Sequence, residues 1–200
     1  MRASASPLLL LLLLLAGAAS AHPSLQDSMW VVFAPDRIRV AVNVSLQEVL
    51  VAQQIAASDE EGYDAALVNA AAEKHREYIL RHLQLTVAGH ELSGRVTALT
   101  PPAIFTSAEK TIFQYSIEYP LRGMPPANVT FRHDMLREFP YAPGQAWDVS
   151  YVVRVKREGS EEVSSWLLRY AQPSVLPTGW KSAPAQAPAS TRNPSPTEPP

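Results

Sequence analysis

The chain of 200 residues contains no cysteine, so no disulfide can cross-link its fold. It also lacks a glycine-rich phosphate loop, a dinucleotide-binding fingerprint and the Gly-x-Ser-x-Gly elbow of serine hydrolases. Adjacent carboxylates occur at 59–61, but the start of a helix accounts for them without acid–base chemistry. These absences predict a non-enzymatic protein whose stability comes from a hydrophobic core.

Basic residues are few and scattered along the chain. Without Arg2, 16 basic and 19 acidic side chains remain, a formal charge of −3. Nucleic-acid binding depends on clustered cations that neutralise phosphates, so nucleic acid is not an expected partner. With 13 arginines, 4 lysines and abundant alanine, the composition is typical of a GC-rich bacterial genome.

The N-terminus has the layout of a secretory signal peptide over residues 1–21, with an apolar block at Leu8–Leu15 followed by small residues. Ala19 and Ala21 favour cleavage between Ala21 and His22, with cleavage before Ala19 as the alternative. The apolar block is too short to span a bilayer, and no later run approaches the roughly 20 residues that a membrane helix needs. We therefore expect export to the periplasm or secretion, and a mature chain without a transmembrane helix.

The last part of the chain, residues 174–200, is rich in proline, alanine and serine and has few large apolar side chains to bury. Such a composition predicts a disordered, extended spacer. Either a second module follows such a spacer in a longer protein, or the tail itself reaches a surface or a partner. Residues 22–173 are then predicted to form one domain, long enough to bury a core without disulfides.

Alternating apolar and polar residues predict several antiparallel strands. In RIRVAVNV, residues 37–44, four apolar side chains share one face, and the turn APDR joins this run to SMWVVF as a hairpin. The same period occurs in TIFQYSIEY and WDVSYVVRV, and the turn REGSEE leads from the latter into VSSWLLRY. With a hairpin around Gly89 and the short NVTF, about eight strands are expected. Trp30, Trp147 and Trp166 lie in these runs, which favours packing in a core or an interface.

Residues 58–82 lack this alternation of apolar and polar residues and are predicted to form a helix. Ser58 and Glu61 have capping-box spacing, and basic residues lie toward the other end of the segment. We expect this single inserted helix to lie against an edge or a face of the sheets. The predicted fold is therefore mainly β, an antiparallel β-sandwich of immunoglobulin-like character with one inserted α-helix.

The histidines of the mature chain are the candidate metal ligands. His75 and His82 are two helical turns apart, about 10 Å, which favours a solvated helix face over joint ligation. His90 lies in a predicted hairpin turn, where a polar residue is expected. His133 follows a strand beside Asp134, whose carboxylate can orient an imidazole or raise its pKa. A surface-loop position is the alternative for His133.

His22 differs from the other histidines because cleavage before it would give it a free α-amine. That amine and the ring nitrogen form a bidentate chelate, and one further imidazole would complete a nitrogen site that favours copper(II). His133 is the first candidate for the second ligand, with copper or nickel as the metal. The alternative is that His22 is only the residue at which the leader ends.

Several motifs occur in a familiar order: a leader ending in AHP, then RIRVAVNVSLQEVL, EYILRHLQLTVAGHEL, and FRHDML followed by WDVSYVVRV. Over most of residues 21–170 this order resembles the exported N-terminal domain of HupE/UreJ-like bacterial membrane proteins. The resemblance implies a periplasmic β-rich domain, a link to nickel handling through hydrogenase and urease accessory proteins, and a match between His22 and the histidine that follows the leader. A proline-rich tail stands here where that family has membrane helices, so a transport role does not carry over.

Two functions of different classes follow from these observations. The first is a non-enzymatic periplasmic binding or interaction module that works with a membrane-protein partner. The alternative is a copper- or nickel-binding periplasmic carrier that uses the mature N-terminal histidine.

Overall fold

The computed structural model describes residues 24–56, 63–123, 125–170 and 172–180. Two helices lie in these residues, α1 (Leu46–Ala52) and α2 (Ala65–His82). The strands are β1 (Ser24–Phe33), β2 (Arg37–Ser45), β3 (Leu83–Val87), β4 (His90–Glu91), β5 (Arg95–Thr100), β6 (Ile112–Pro120), β7 (Asn128–His133), β8 (Pro140–Ala142), β9 (Gln145–Ala146), β10 (Asp148–Arg157), β11 (Ser164–Arg169) and β12 (Ser174–Pro177).

The described chain is mainly β and sandwich-like, as predicted. Six strands form a large sheet in the order β11-β10-β1-β2-β6-β5, four form a second sheet in the order β12-β7-β3-β4, and β8 pairs with β9. Among the described strands, β1 and β10 are the only parallel neighbours, with Ser24 opposite Asp148 and Phe33 opposite Arg157. The other described strand pairs are antiparallel, as predicted, and the immunoglobulin-like character stays a prediction.

Alternating burial builds the inner face of the large sheet. On β2 the apolar residues point inward, while Arg37 and Arg39 are exposed. Each buried aliphatic or aromatic side chain contributes roughly 1.5–3 kcal/mol, so this face supplies much of the stability of a chain without disulfides. The inward residues of β2 and β6 are Ile38, Val40, Val42, Val44, Phe113, Tyr115, Ile117 and Tyr119.

Helix α1 follows β2 without a loop. Ser45, the last residue of β2, is its N-cap, and Ser45 Oγ accepts the backbone N–H of Glu48. Leu46, Val49 and Leu50 bury the apolar side of the helix. The sequence pattern predicts one helix rather than two, because LQEVLVA is short and also continues the apolar pattern of the preceding strand.

Helix α2 begins at Ala65, where the Asp64 side chain accepts the backbone N–H of Ala66 at 2.8 Å. This start lies later than the predicted residue 58, and the predicted capping box of Ser58 and Glu61 lies outside the described residues. The helix runs directly into β3 and covers the inner side of the large sheet. Neither helix in the described ranges combines the length and apolar character needed to cross a membrane.

The first strand and the C-terminal end of the domain extend beyond their predicted limits. Strand β1 starts at Ser24, four residues before the predicted SMWVVF run. At the other end, β12 pairs with β7, Leu176 is fully buried and Trp180 packs against the core. The domain therefore continues past residue 173, whereas residues 181–200 and the predicted signal peptide lie outside the described residues.

Candidate functional site

Four polar side chains meet between the inner face of the large sheet and the two helices. Asp27 comes from β1, Glu48 from α1, His75 from α2 and Tyr151 from β10. Glu48, His75 and Tyr151 are completely buried, and Asp27 is 7% exposed. Burying ionisable groups is costly unless they are neutralised or hydrogen-bonded. We call these four residues the buried cluster.

Glu48 is the centre of the buried cluster. Its Oε2 accepts the Tyr151 hydroxyl at 2.9 Å, and its Oε1 lies 3.3 Å from Nε2 of His75. Asp27 lies beside Glu48, and the pKa of its carboxyl is raised by burial and by this neighbour. Two carboxylates close together in a buried site repel each other, which disfavours ionisation of both. The pair therefore favours one bound proton.

Asp27 takes the place of a capping-box glutamate. In a capping box, the residue three positions after the N-cap reaches back to the N-cap backbone N–H. Here the Ser45 N–H donates to Asp27 Oδ1 at 3.2 Å instead. Glu48 is thereby free to turn toward His75 and Tyr151. One carboxyl thus ties α1 to β1, and the other ties α1 to α2 and β10.

Burial controls the protonation of the cluster. It raises the pKa of Asp27 to about 8, and the neighbouring Glu48 adds to this shift. It raises the pKa of Glu48 to about 7, against the lowering effect of hydrogen bonds from Asp27 and Tyr151. Burial also lowers the pKa of His75 to about 3. At neutral pH the imidazole is therefore uncharged and Asp27 holds its proton.

This arrangement can hold protons, but it is closed to substrates. Groups with strongly shifted pKa values occur both in active sites and in structural networks. Glu48, His75 and Tyr151 have no solvent-exposed surface, and each of their contacts described above joins two secondary-structure elements. The enclosure favours a structural role, in which the cluster fixes both helices to the sheet.

The predicted solvated face of His75 and His82 is wrong for both residues. His75 is enclosed in the cluster, and His82 is partly buried beneath the ring of Tyr78, with 4.2 Å between ring centroids. Nδ1 of His82 lies 2.8 Å from Oδ1 of Asp134, and its Nε2 lies 3.5 Å from Glu138. His82 thus links the end of α2 to the segment after β7.

His133 is buried at the end of β7 and does not bond Asp134, which turns to His82 instead. Its ring stands edge-on to Tyr151, and neither ring nitrogen makes a hydrogen bond of normal geometry. Burial lowers the pKa of His133 to about 4, although the backbone of Leu168 opposes the shift. Both predicted environments for His133, the carboxylate-oriented ring and the surface loop, are therefore wrong.

The two proposed metal ligands are not shown together. His22 and the cleavage residue Ala21 lie outside the described residues, and His133 is enclosed by apolar and aromatic neighbours. Within the described ranges, no three or more His, Cys, Asp or Glu side chains are grouped so that they could hold a metal ion. A copper or nickel site at His22 stays a prediction.

The outer face of the large sheet is a second candidate site. Its outward positions are basic overall, although the whole chain has a net charge of −2. On β1, the outward side chains from Gln26 to Val32 are all at least partly exposed. The outward charged residues of the six strands are the basic Arg37, Arg39, Arg95, Arg154, Lys156 and Arg169 and the acidic Glu118 and Asp148.

A shallow groove of about 410 Å³ surrounds Trp30 on this outer face. Arg39 borders the groove and pairs with Glu158, which lies in the turn after β10. Glu118 lies on the other side and pairs with Arg95 at 3.0 Å. An aromatic side chain surrounded by a rim of polar groups is typical of protein interfaces. We call this feature the Trp30 groove.

Comparisons with known proteins do not connect the chain to a family. No protein-family model matches it, and no curated protein matches it. The candidate sites therefore depend on the geometry described above, and the resemblance to HupE/UreJ-like proteins stays a prediction.

Asp27 and Glu48 are not among the candidate residues predicted from the sequence, although the local sequence around each contains a structural pattern. Asp27 stands between Leu25 and Met29 in an alternating pattern, so a strand that includes all three must point the carboxyl inward. The spacing of Ser45 and Glu48 is that of a capping box and indicates a helix start. No local pattern brings either residue near His75.

Proposed function

We propose that this chain is a non-enzymatic periplasmic interaction module that binds a membrane-protein partner through the Trp30 groove. The observation that carries the proposal is a half-buried tryptophan among paired charges on the outer face of the sheet. Aromatic side chains in such surroundings dominate the binding energy of many protein interfaces. On the side of the groove toward β2 and β6, the ion pairs of Arg39 and Glu118 suit a polar protein rim better than a uniformly charged ligand.

The proposed compartment and partner are supported by the sequence. The predicted signal peptide supports export, and the resemblance to exported domains of HupE/UreJ-like membrane proteins supports a membrane-protein partner. The non-enzymatic role is supported by the enclosure of Glu48, His75 and Tyr151, whose hydrogen bonds join helices to the sheet.

Site-specific photo-crosslinking in cells tests this proposal. A photoreactive phenylalanine analogue replaces Trp30, and the matched control carries it at Leu67, which is 50% exposed on α2. We expect a discrete adduct with a membrane protein from position 30 and none from position 67. Absence of an adduct at position 30, or the same adduct from both positions, would overturn the proposal.

A further inference from the structure

A basic strip runs along one side of the outer face, next to the Trp30 groove. We define it by three cations and two apolar side chains: Arg154, Lys156, Arg169, Val152 and Leu167. From its chemistry we infer that the basic strip docks on an anionic lipid surface. The inference rests on the proposed function, because a membrane-protein partner in the Trp30 groove would place the adjacent strip at the lipid headgroups.

Strand register places cations and apolar side chains of the strip side by side. Arg154 of β10 is the neighbour of Trp30 on β1, and Leu167 of β11 is the neighbour of Val152. The ammonium group of Lys156 lies over the Trp30 ring, 6.0 Å from its centroid. The strip is therefore an amphipathic surface rather than a set of separated charges.

The cations of the strip differ from the other cations of the outer face. Those on β2 and β5 form ion pairs with Asp36, Glu118 or Glu158. Arg154, Lys156 and Arg169, by contrast, form no ion pair with any residue that the structure describes. Their charges are thus available to an external anion.

A lipid surface fits this combination of groups better than a protein with mixed charges. Each basic residue close to an anionic membrane strengthens binding about fivefold. Leu167 is 44% exposed, and apolar contact at the boundary of the acyl chains would cover it. Asp148 is the one acidic residue at the outward positions of β1, β10 and β11. It lies far along β10 from Lys156 but only two residues from Ser150, the neighbour of Arg169. Glu158, in the turn after β10, borders the Trp30 groove with Lys156 and is paired with Arg39.

Vesicle sedimentation of the purified mature chain tests the inference. The vesicles are either pure phosphatidylcholine or phosphatidylcholine mixed with phosphatidylglycerol. The strip variant combines Arg154→Gln, Lys156→Gln and Arg169→Gln, and the matched control combines Lys74→Gln, Lys110→Gln and Arg122→Gln, which remove three exposed cations elsewhere. Circular dichroism establishes that both variants are folded.

We expect binding to the anionic vesicles only, weakened by salt because exposed charges are screened. The strip variant should lose on the order of 100-fold in affinity, from about fivefold per cation, and the control variant should lose far less. Equal binding to neutral vesicles, or equal losses in the two variants, would overturn the inference. If vesicles are not bound while position 30 still crosslinks to a membrane protein, the lipid inference fails and the proposed function stands. If both experiments fail, both proposals are wrong.

Discussion

Oε1 of Glu48 lies 3.3 Å from Nε2 of His75, and neither side chain has any exposed surface. Because burial raises the pKa of Glu48 and lowers that of His75, their contact is a hydrogen bond between groups that resist charge, and not an ion pair. Asp27 of β1 lies beside this pair, and burial and Glu48 raise the pKa of its carboxyl. The protons of this cluster are therefore part of the folded structure, and its stability must depend on pH.

Alkaline conditions should destabilise the fold. Asp27 and Glu48 have ordinary pKa values of 3.8 and 4.5, and burial raises these to about 8 and about 7. A pKa that folding raises contributes stability below the unfolded value, and this contribution is lost as the pH rises through the folded value. Below their ordinary pKa of 6.5, His75 and His133 oppose this trend, because burial lowers the pKa of each; above it both become neutral in both states and their opposition fades.

Urea unfolding from about pH 6.5 to about pH 8.5 measures this loss. The free energy of unfolding should fall by roughly 1.4 kcal/mol per pH unit for each proton that only the folded state retains. A stability that is flat or rises over this range would contradict the retention of carboxyl protons.

Asp27→Asn should reduce this pH dependence by about half, because one of two titrating protons is removed. The asparagine oxygen can still accept the Ser45 N–H, and its amide can still donate to Glu48. The matched control is Asp36→Asn, whose exposed carboxyl has a pKa lowered by Arg37 and stays ionised throughout the range. If the free energy of unfolding depends on pH with the same slope in Asp27→Asn and Asp36→Asn, Asp27 does not retain a proton in the folded state.

Tyr151→Phe should destabilise the fold by about 1–3 kcal/mol, because Oε2 of Glu48 loses its hydroxyl donor inside the core. Tyr141→Phe is the control, since Tyr141 is 51% exposed and the same atom is removed. Urea denaturation near pH 6 compares the two variants. Equal stabilities would show that the Tyr151 hydroxyl is dispensable.

Gly94→Ala should cost about 1–3 kcal/mol through overpacking. A Cβ atom at Gly94 would lie 2.5 Å from Cε1 of Tyr119, whose ring is buried and whose hydroxyl donates to the Leu83 carbonyl. Ser93→Ala, one residue earlier, serves as the control. Thermal and urea unfolding of the two variants measure the difference, and a fully stable Gly94→Ala protein would mean that the ring can move aside.

His133→Phe should leave stability unchanged or raise it, because neither ring nitrogen of His133 makes a hydrogen bond of normal geometry, and the Leu168 backbone offsets the effect of burial only in part. If the mature N-terminus binds copper(II), this substitution should not alter the affinity measured by isothermal titration calorimetry. One extra residue before His22 should abolish that affinity, because it separates the free amine from the imidazole. A loss of copper(II) binding in His133→Phe would instead show that the His133 ring reaches the metal.

Local sequence patterns are sufficient to predict much of the large sheet. Alternation predicts β2, β6 and β10, and the turns predict the β1–β2 and β10–β11 hairpins, which the structure contains. Local patterns do not predict β12. Leu176 lies in a stretch rich in proline and alanine, which is typical of a disordered tail, and its burial depends on pairing with β7. Composition alone does not show whether a distant strand leaves a free edge for such a segment.

The buried cluster could not be predicted because its members are distant in sequence. His75 belongs to a helix with a weak apolar stripe, where a polar residue normally faces water. Only the packing of α1 and β10 against α2 encloses it. His133 shows the same limit. The adjacent Asp134 is its obvious partner in sequence, but in the structure Asp134 contacts His82 instead.

The parallel pairing of β1 with β10 affects the order in which the domain can fold. β1 lies between β2 and β10 in the large sheet, but β10 ends only at Arg157. Until that part of the chain has been synthesised, β1 presents a row of unpaired backbone groups to which other strands can add. Pairing of such distant segments is intrinsically slow. Nascent chains should therefore need protection of this edge, and aggregation should begin at β1 when synthesis stops before β10.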